Sequence, residues 1–152
     1  MKVTVFLRND HDTLKSLFER FKNPSGSRTP NGKKDLFNDI QREVLLHYQM
    51  GVEIFYPALA GTSSERSAEI MASAEREYRT VEKSIEELSS MNASDKEFES
   101  KMNQLIEEVQ RHIDLEEEEI FDEARKNLPE LRLEELGLEM ADRRKILSTL
   151  AA

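Results

Sequence analysis

The chain contains no cysteine in 152 residues. Disulfides, thiolate nucleophiles, zinc knuckles and cysteine-held iron–sulfur clusters are excluded with it, and any bound metal must be held by nitrogen and oxygen. Glycine (5) and proline (4) are scarce while 35% of residues are charged, a balance that predicts long amphipathic helices with few turns. No run approaches the roughly 20 apolar residues of a membrane span. The apolar opening from Met1 to Leu7 is cut off by Arg8, Asn9 and Asp10, too early for the apolar region of a signal peptide. Basic residues are outnumbered, 22 Lys and Arg against 31 Asp and Glu for a net charge of −9. That speaks against a surface that tracks phosphates or anionic membranes. The reading is one domain over residues 1–152, soluble and cytoplasmic, with no nucleic-acid or membrane partner.

Turn formers cluster from Asn23 to Gly32, from Pro57 through Gly61 to Ser64, from Ser89 to Ser94, and at Asn127 to Pro129. Four helical segments fall between or before these breaks, and a shorter fifth is predicted from about Leu133 to the C-terminus. Each long segment places apolar residues at three- and four-residue steps. The first has His11, Leu14, Leu17, Phe18 and Phe21 on one face. The second has Leu36, Ile40, Val44, His47, Met50, Gly51 and Ile54. Met71, Ala74, Tyr78, Val81, Ile85 and Leu88 mark the third, and Met102, Leu105, Val109, His112, Glu116 and Ile120 the fourth. The predicted fold is an all-α, up-down-up-down four-helix bundle with a short additional C-terminal helix.

The polar residues on these inward stripes carry the chemistry. All three histidines lie on them, on three different helices, and Glu116 stands one turn after His112 on the same face. One His-x-x-x-Glu pair is common on any helix and says little. Three seam histidines with a seam carboxylate point to a metal held in the bundle core. The stretch from His47 to Pro57 also echoes that from His112 to Phe121, each a His followed by acidic residues and Ile-Phe.

Over most of its length the sequence resembles the hemerythrin-like, HHE cation-binding domains. The residues concerned are Asp10 and His11 with Leu14 and Phe18, His47 leading into Glu53 to Leu59, Glu77 to Glu82, His112 leading into Glu116 to Phe121, and Leu136 to Met140. The resemblance implies a four-helix bundle around a non-heme di-iron site, with His11, His47, His112 and Glu116 at ligand positions.

Two positions depart from that pattern. Gly51 stands where the family's second helix carries a bridging Glu, and Tyr78 where its third helix carries a His. Either the site has decayed toward weak or mononuclear binding, or the volume cleared at Gly51 admits Tyr78 as a tyrosinate ligand, an oxygen donor that favours Fe(III). The remaining possibility for Tyr78 is an ordinary core tyrosine. Glu53 lies about 240° round the helix from His47 and is expected to face away.

The functional expectation is a non-heme iron protein, with two irons, that handles or senses a small oxidant or diatomic (O2, NO or H2O2). Any catalysis would be peroxide- or NO-directed redox chemistry. The alternative is a metal-poor helical bundle acting as an interaction or sensory module, whose fifth helix, with Leu133, Leu136, Met140, Ile146 and Leu147, either docks a partner or caps the bundle. A hydrolase is disfavoured, because no Gly-x-Ser-x-Gly elbow is present.

Overall fold

The computed structural model describes residues 1–23, 29–62 and 64–151, which are helical throughout apart from the connections, with no strand among them. The helices are α1 (Val3–Lys22), α2 (Pro30–Met50), α3 (Tyr56–Ala60), α4 (Glu65–Ser89), α5 (Lys96–Leu115), α6 (Phe121–Asn127) and α7 (Glu130–Ala151). A π turn, Gly51–Phe55, joins α2 to α3 without a break, and a second, Glu116–Ile120, joins α5 to α6. The two composite helices, α1 and α4 form the four-helix bundle expected from the stripes. The first predicted break falls largely on residues 24–28, and Ser63 of the second break is likewise outside the described residues.

Helix starts follow local chemistry. Thr29 Oγ1 accepts a hydrogen bond from Gly32 N at 3.0 Å and Ser64 Oγ from Ser67 N at 3.3 Å, so each caps donors left open by its helix end. Leu128 is extended ahead of Pro129, which separates α6 from α7.

The apolar stripes condense into two clusters. The first gathers Leu14, Phe18, Phe37, Ile40, Val44, Val81, Val109 and their neighbours. The second gathers Val3, Leu7, Met50, Phe55, Leu59, Ile70, Phe121 and the inner face of α7. His11 lies in sequence between Leu7 and Leu14, His47 between Val44 and Met50, and His112 between Val109 and Ile120, so the polar residues fall at the junction of the two clusters. Apolar packing flanks them on both sides.

α7 is longer than the sequence suggested: it starts at Glu130 and runs for 22 residues. It packs chiefly on α1, and also on α2. A Cβ built at Gly137 would lie 1.9 Å from the Met1 carbonyl oxygen. Only glycine lets the two backbones approach this closely. Leu133, Leu136, Met140 and Leu147 are buried against the bundle, so of the two roles open to this helix it is the capping one that the packing supports.

Candidate metal centre

Three imidazoles converge on one oxygen. Glu116 Oε1 lies 2.8 Å from His11 Nε2, 2.9 Å from His47 Nε2 and 3.1 Å from His112 Nε2. All four side chains are buried, Glu116 to 1% exposure and His11 to none. His11, His47 and Glu116 present ligand atoms within 4.8 Å of one another. α1, α2 and α5 thus each contribute to the cluster, as their stripes anticipated.

Every ring is also held from behind. His11 Nδ1 faces Glu117 Oε2 at 2.6 Å, His47 Nδ1 faces Asp10 Oδ2 at 3.3 Å, and His112 Nδ1 faces Glu77 Oε2 at 2.7 Å. A carboxylate on Nδ1 fixes a proton there, orients the ring and leaves Nε2 directed at the centre. The His11 ring additionally stacks on Phe121, with centroids 5.8 Å apart and planes 7° from parallel.

The fifth member of the cluster is Tyr56, whose hydroxyl donates to Glu116 Oε2 at 2.6 Å. The sequence stripe missed it, because residue 56 lies nine positions after His47, about 180° round an unbroken α-helix. The π turn inserts one residue and rotates the downstream helix by about 100°. Hence Phe55 and Tyr56 are buried, while Ile54, placed on the stripe by the sequence, is only partly so. The second π turn sits in the same register, each beginning four residues after its histidine, His47 or His112. The sequence echo between these stretches is therefore structural, and it places Tyr56 and Phe121 at equivalent positions.

Tyr78 is not where the tyrosinate reading put it. It is partly exposed and packs against the first apolar cluster. The Tyr48 ring stands beside it, 6.3 Å away, and itself lies 4.5 Å from the His112 ring. On α4 the residue that reaches the centre is its neighbour Glu77, through His112. Glu53 is exposed and pairs with Arg143 Nε at 2.9 Å, facing away as expected despite the π turn.

The electrostatics are those of a buried anion surrounded by proton donors. Burial alone would raise the Glu116 carboxyl, but His112, His47 and the His11 hydrogen bond hold it well below the usual carboxylate range. Burial would likewise depress His47, yet Glu116 and Asp10 raise it to about 10. His112 is raised by Glu116 and Glu77 against the same burial. Burial, reinforced by Glu116, pushes the Tyr56 hydroxyl well above its ordinary value. Without metal, protonated His47 and His112 compensate the charge of Glu116, and the neutral Tyr56 hydroxyl donates a hydrogen bond to it. A cation placed among the same groups would take over that role.

Two cavities reach this layer from the α4–α5 side. An inner one of about 60 Å³ is bounded by Tyr56, Ser73, Glu77, His112 and Leu115 among others. An open cleft of about 680 Å³ shares Ser73, Glu77, His112 and Leu115 with it.

Residues 3–124 match the family model "Hemerythrin HHE cation binding domain". The fold is similar to the crystal structure of a hemerythrin HHE cation-binding domain-containing protein from Mycobacterium kansasii, with a TM-score of 0.83 and 23% identity, covering 99% of this chain and 90% of that one. A curated relative, named a DNA nickase, from Nostoc sp. (strain PCC 7120 / SAG 25.82 / UTEX 2576) is 24% identical over 139 residues. This chain is 91% covered by that match but spans only 38% of the relative's length. The chain belongs to the hemerythrin HHE cation-binding domain family.

Proposed function

We propose that the protein holds non-heme iron at His11, His47, His112, Glu116 and Tyr56, and that the centre handles or senses a small oxidant or diatomic, O2, NO or H2O2. The observation that carries this is the convergence of three Nε2 atoms on Glu116 Oε1, each ring held from behind by a carboxylate. Neutral imidazoles with carboxylate and phenolate oxygens suit a first-row ion that changes oxidation state. Glu116, with one oxygen toward the histidines and the other toward Tyr56, would be the carboxylate that holds the iron.

Bound iron would supply electron transfer to a small molecule and an open coordination position for it. The protein's own part is positional. Glu117, Asp10 and Glu77 keep the nitrogens directed inward, and the apolar clusters flank them. The inner cavity beside Tyr56 and His112, about 60 Å³, has room for a small molecule of a few heavy atoms. Tyr56 stands in the role that the sequence pattern offered to Tyr78: a phenolate there would favour Fe(III), and with it peroxide or NO turnover, or redox sensing, over reversible O2 carriage. The net charge of −9 keeps nucleic acid out of this proposal, and the relative named a nickase extends well beyond the shared region.

The test is to load the protein with iron under anaerobic reducing conditions and add O2, NO and H2O2 separately while recording the visible spectrum. At least one should change the iron spectrum of the wild type within mixing time and leave a Glu116→Gln variant unchanged. No response to any of them would sink the small-oxidant reading.

A further inference from the structure

α7 lies beyond the residues matched by the family model, yet one of its side chains reaches the centre's surroundings. Arg144 Nη1 donates to Asp10 Oδ1 at 3.1 Å and Nη2 to Glu43 Oε2 at 2.6 Å. The other oxygen of Asp10 is the one that faces His47 Nδ1. The contacts therefore run unbroken from α7 through Asp10 to His47 Nε2 and Glu116.

We propose that Arg144 is a positioning residue for the metal centre, holding Asp10 so that Asp10 in turn fixes the His47 ring with Nε2 inward, and that α7 thereby governs how firmly metal is retained. This rests on the iron-binding reading above. Among the three carboxylates that hold the histidines, the Asp10 side chain is only 9% exposed, against 25% for Glu117 and 35% for Glu77. Water can compensate and orient the latter two. Asp10 has little water, and Arg144 is the one Arg or Lys that the described residues bring against it. A buried carboxylate without a partner loses both its charge compensation and its fixed orientation.

The geometry calls for arginine in particular. Its planar fork reaches two carboxylates on two helices at once, Asp10 on α1 and Glu43 on α2, which a single ammonium group does less well. These are the helices that carry His11 and His47. Arg144 also falls four residues after Met140 and three before Leu147, so it is the polar member of α7's buried stripe, just as the histidines are on theirs. The close approach at Gly137 and the buried leucines fix the helix that presents it.

The experiment compares wild type, Arg144→Gln, Arg144→Lys and Arg143→Gln. Arg143→Gln breaks the adjacent α7 ion pair to exposed Glu53 without touching Asp10, and so reports general loosening of α7. In metal-free protein, the His47 Nδ1 proton is followed by NMR as a slowly exchanging imidazole resonance. In iron-loaded protein, release to excess EDTA is timed. Arg144→Gln should lose the protected resonance and release iron on the order of ten times faster, a change of about 1.4 kcal/mol in barrier. Arg144→Lys should fall between it and wild type, and Arg143→Gln should match wild type in both readouts. A protected resonance and wild-type release in Arg144→Gln, or equal losses in Arg143→Gln, would overturn the proposal. Wild type that takes up no iron defeats the metal reading instead, while the NMR comparison still decides whether Arg144 positions His47.

Discussion

The ring of Tyr56 fills the space that a side chain at residue 51 would need. A Cβ on Gly51 would stand 2.9 Å from Tyr56 Cε2 and 3.3 Å from Cδ2. The absence of a side chain at residue 51 and the inward tyrosine at residue 56 are thus coupled in space. The π turn beginning at Gly51 brings the two together, because it turns residue 56 inward.

Gly51→Ala tests that coupling. In an ordinary helix this change would stabilise by about 1 kcal/mol. Here the added methyl meets a ring that is buried and packed on Phe55, and overpacking of a core costs roughly 1–3 kcal/mol. The expected result is a lower midpoint in thermal unfolding and a weakened Tyr56–Glu116 contact. A stabilised variant would show that the ring moves aside freely.

Tyr56→Phe keeps the ring and removes the donor to Glu116 Oε2. Leaving one oxygen of a buried carboxylate unsatisfied should cost about 1–3 kcal/mol in the metal-free protein, measured by urea unfolding. In the ferric protein it should abolish a phenolate-to-iron charge-transfer band and its resonance Raman signature. Tyr78→Phe, which alters a partly exposed ring beside Tyr48, should leave both intact. The opposite pattern would restore Tyr78 as the ligand.

The pH dependence of the metal-free protein is set by the shifted groups. His47 is raised from 6.5 to about 10, so its stabilisation is full below pH 6.5 and is lost as pH climbs through about 10. Glu116 is lowered from 4.5, so its contribution is present above pH 4.5 and is lost as pH falls through its depressed value. Maximum stability is expected between pH 4.5 and 6.5, with a decline toward 10. Metal uptake displaces the same protons and should strengthen as pH rises across that range. Urea unfolding of metal-free protein at a series of pH values would contradict this if stability kept rising from 6.5 to 10.

His112→Ala should lose far more metal than Glu53→Ala. His112 stands 3.1 Å from Glu116 inside the bundle, whereas Glu53 is paired to Arg143 on the surface. Comparable losses, measured by elemental analysis of the two purified variants, would mean that Glu53 has a role its position does not explain.

The bundle and four members of the cluster were legible because His11, His47, His112 and Glu116 sit in phase with leucines, valines and isoleucines over unbroken helix. Tyr56 was not, since an inserted π residue leaves no mark in a periodicity counted at 3.6 residues per turn; only the Ile-Phe echo hinted at it. Glu77 was hidden beside Tyr78, which took the seam position while the carboxylate bent inward to His112. Arg144 escaped because a cation on a stripe of Met140 and Leu147 reads as a helix edge until its partners on α1 and α2 are seen.

The central claim is that these residues hold iron, and elemental analysis of the wild-type protein after expression with added iron tests it most directly. The account predicts two irons per chain, and a value near one would leave a mononuclear site. Well under one metal of any kind per chain, in protein with full helical content, would contradict it.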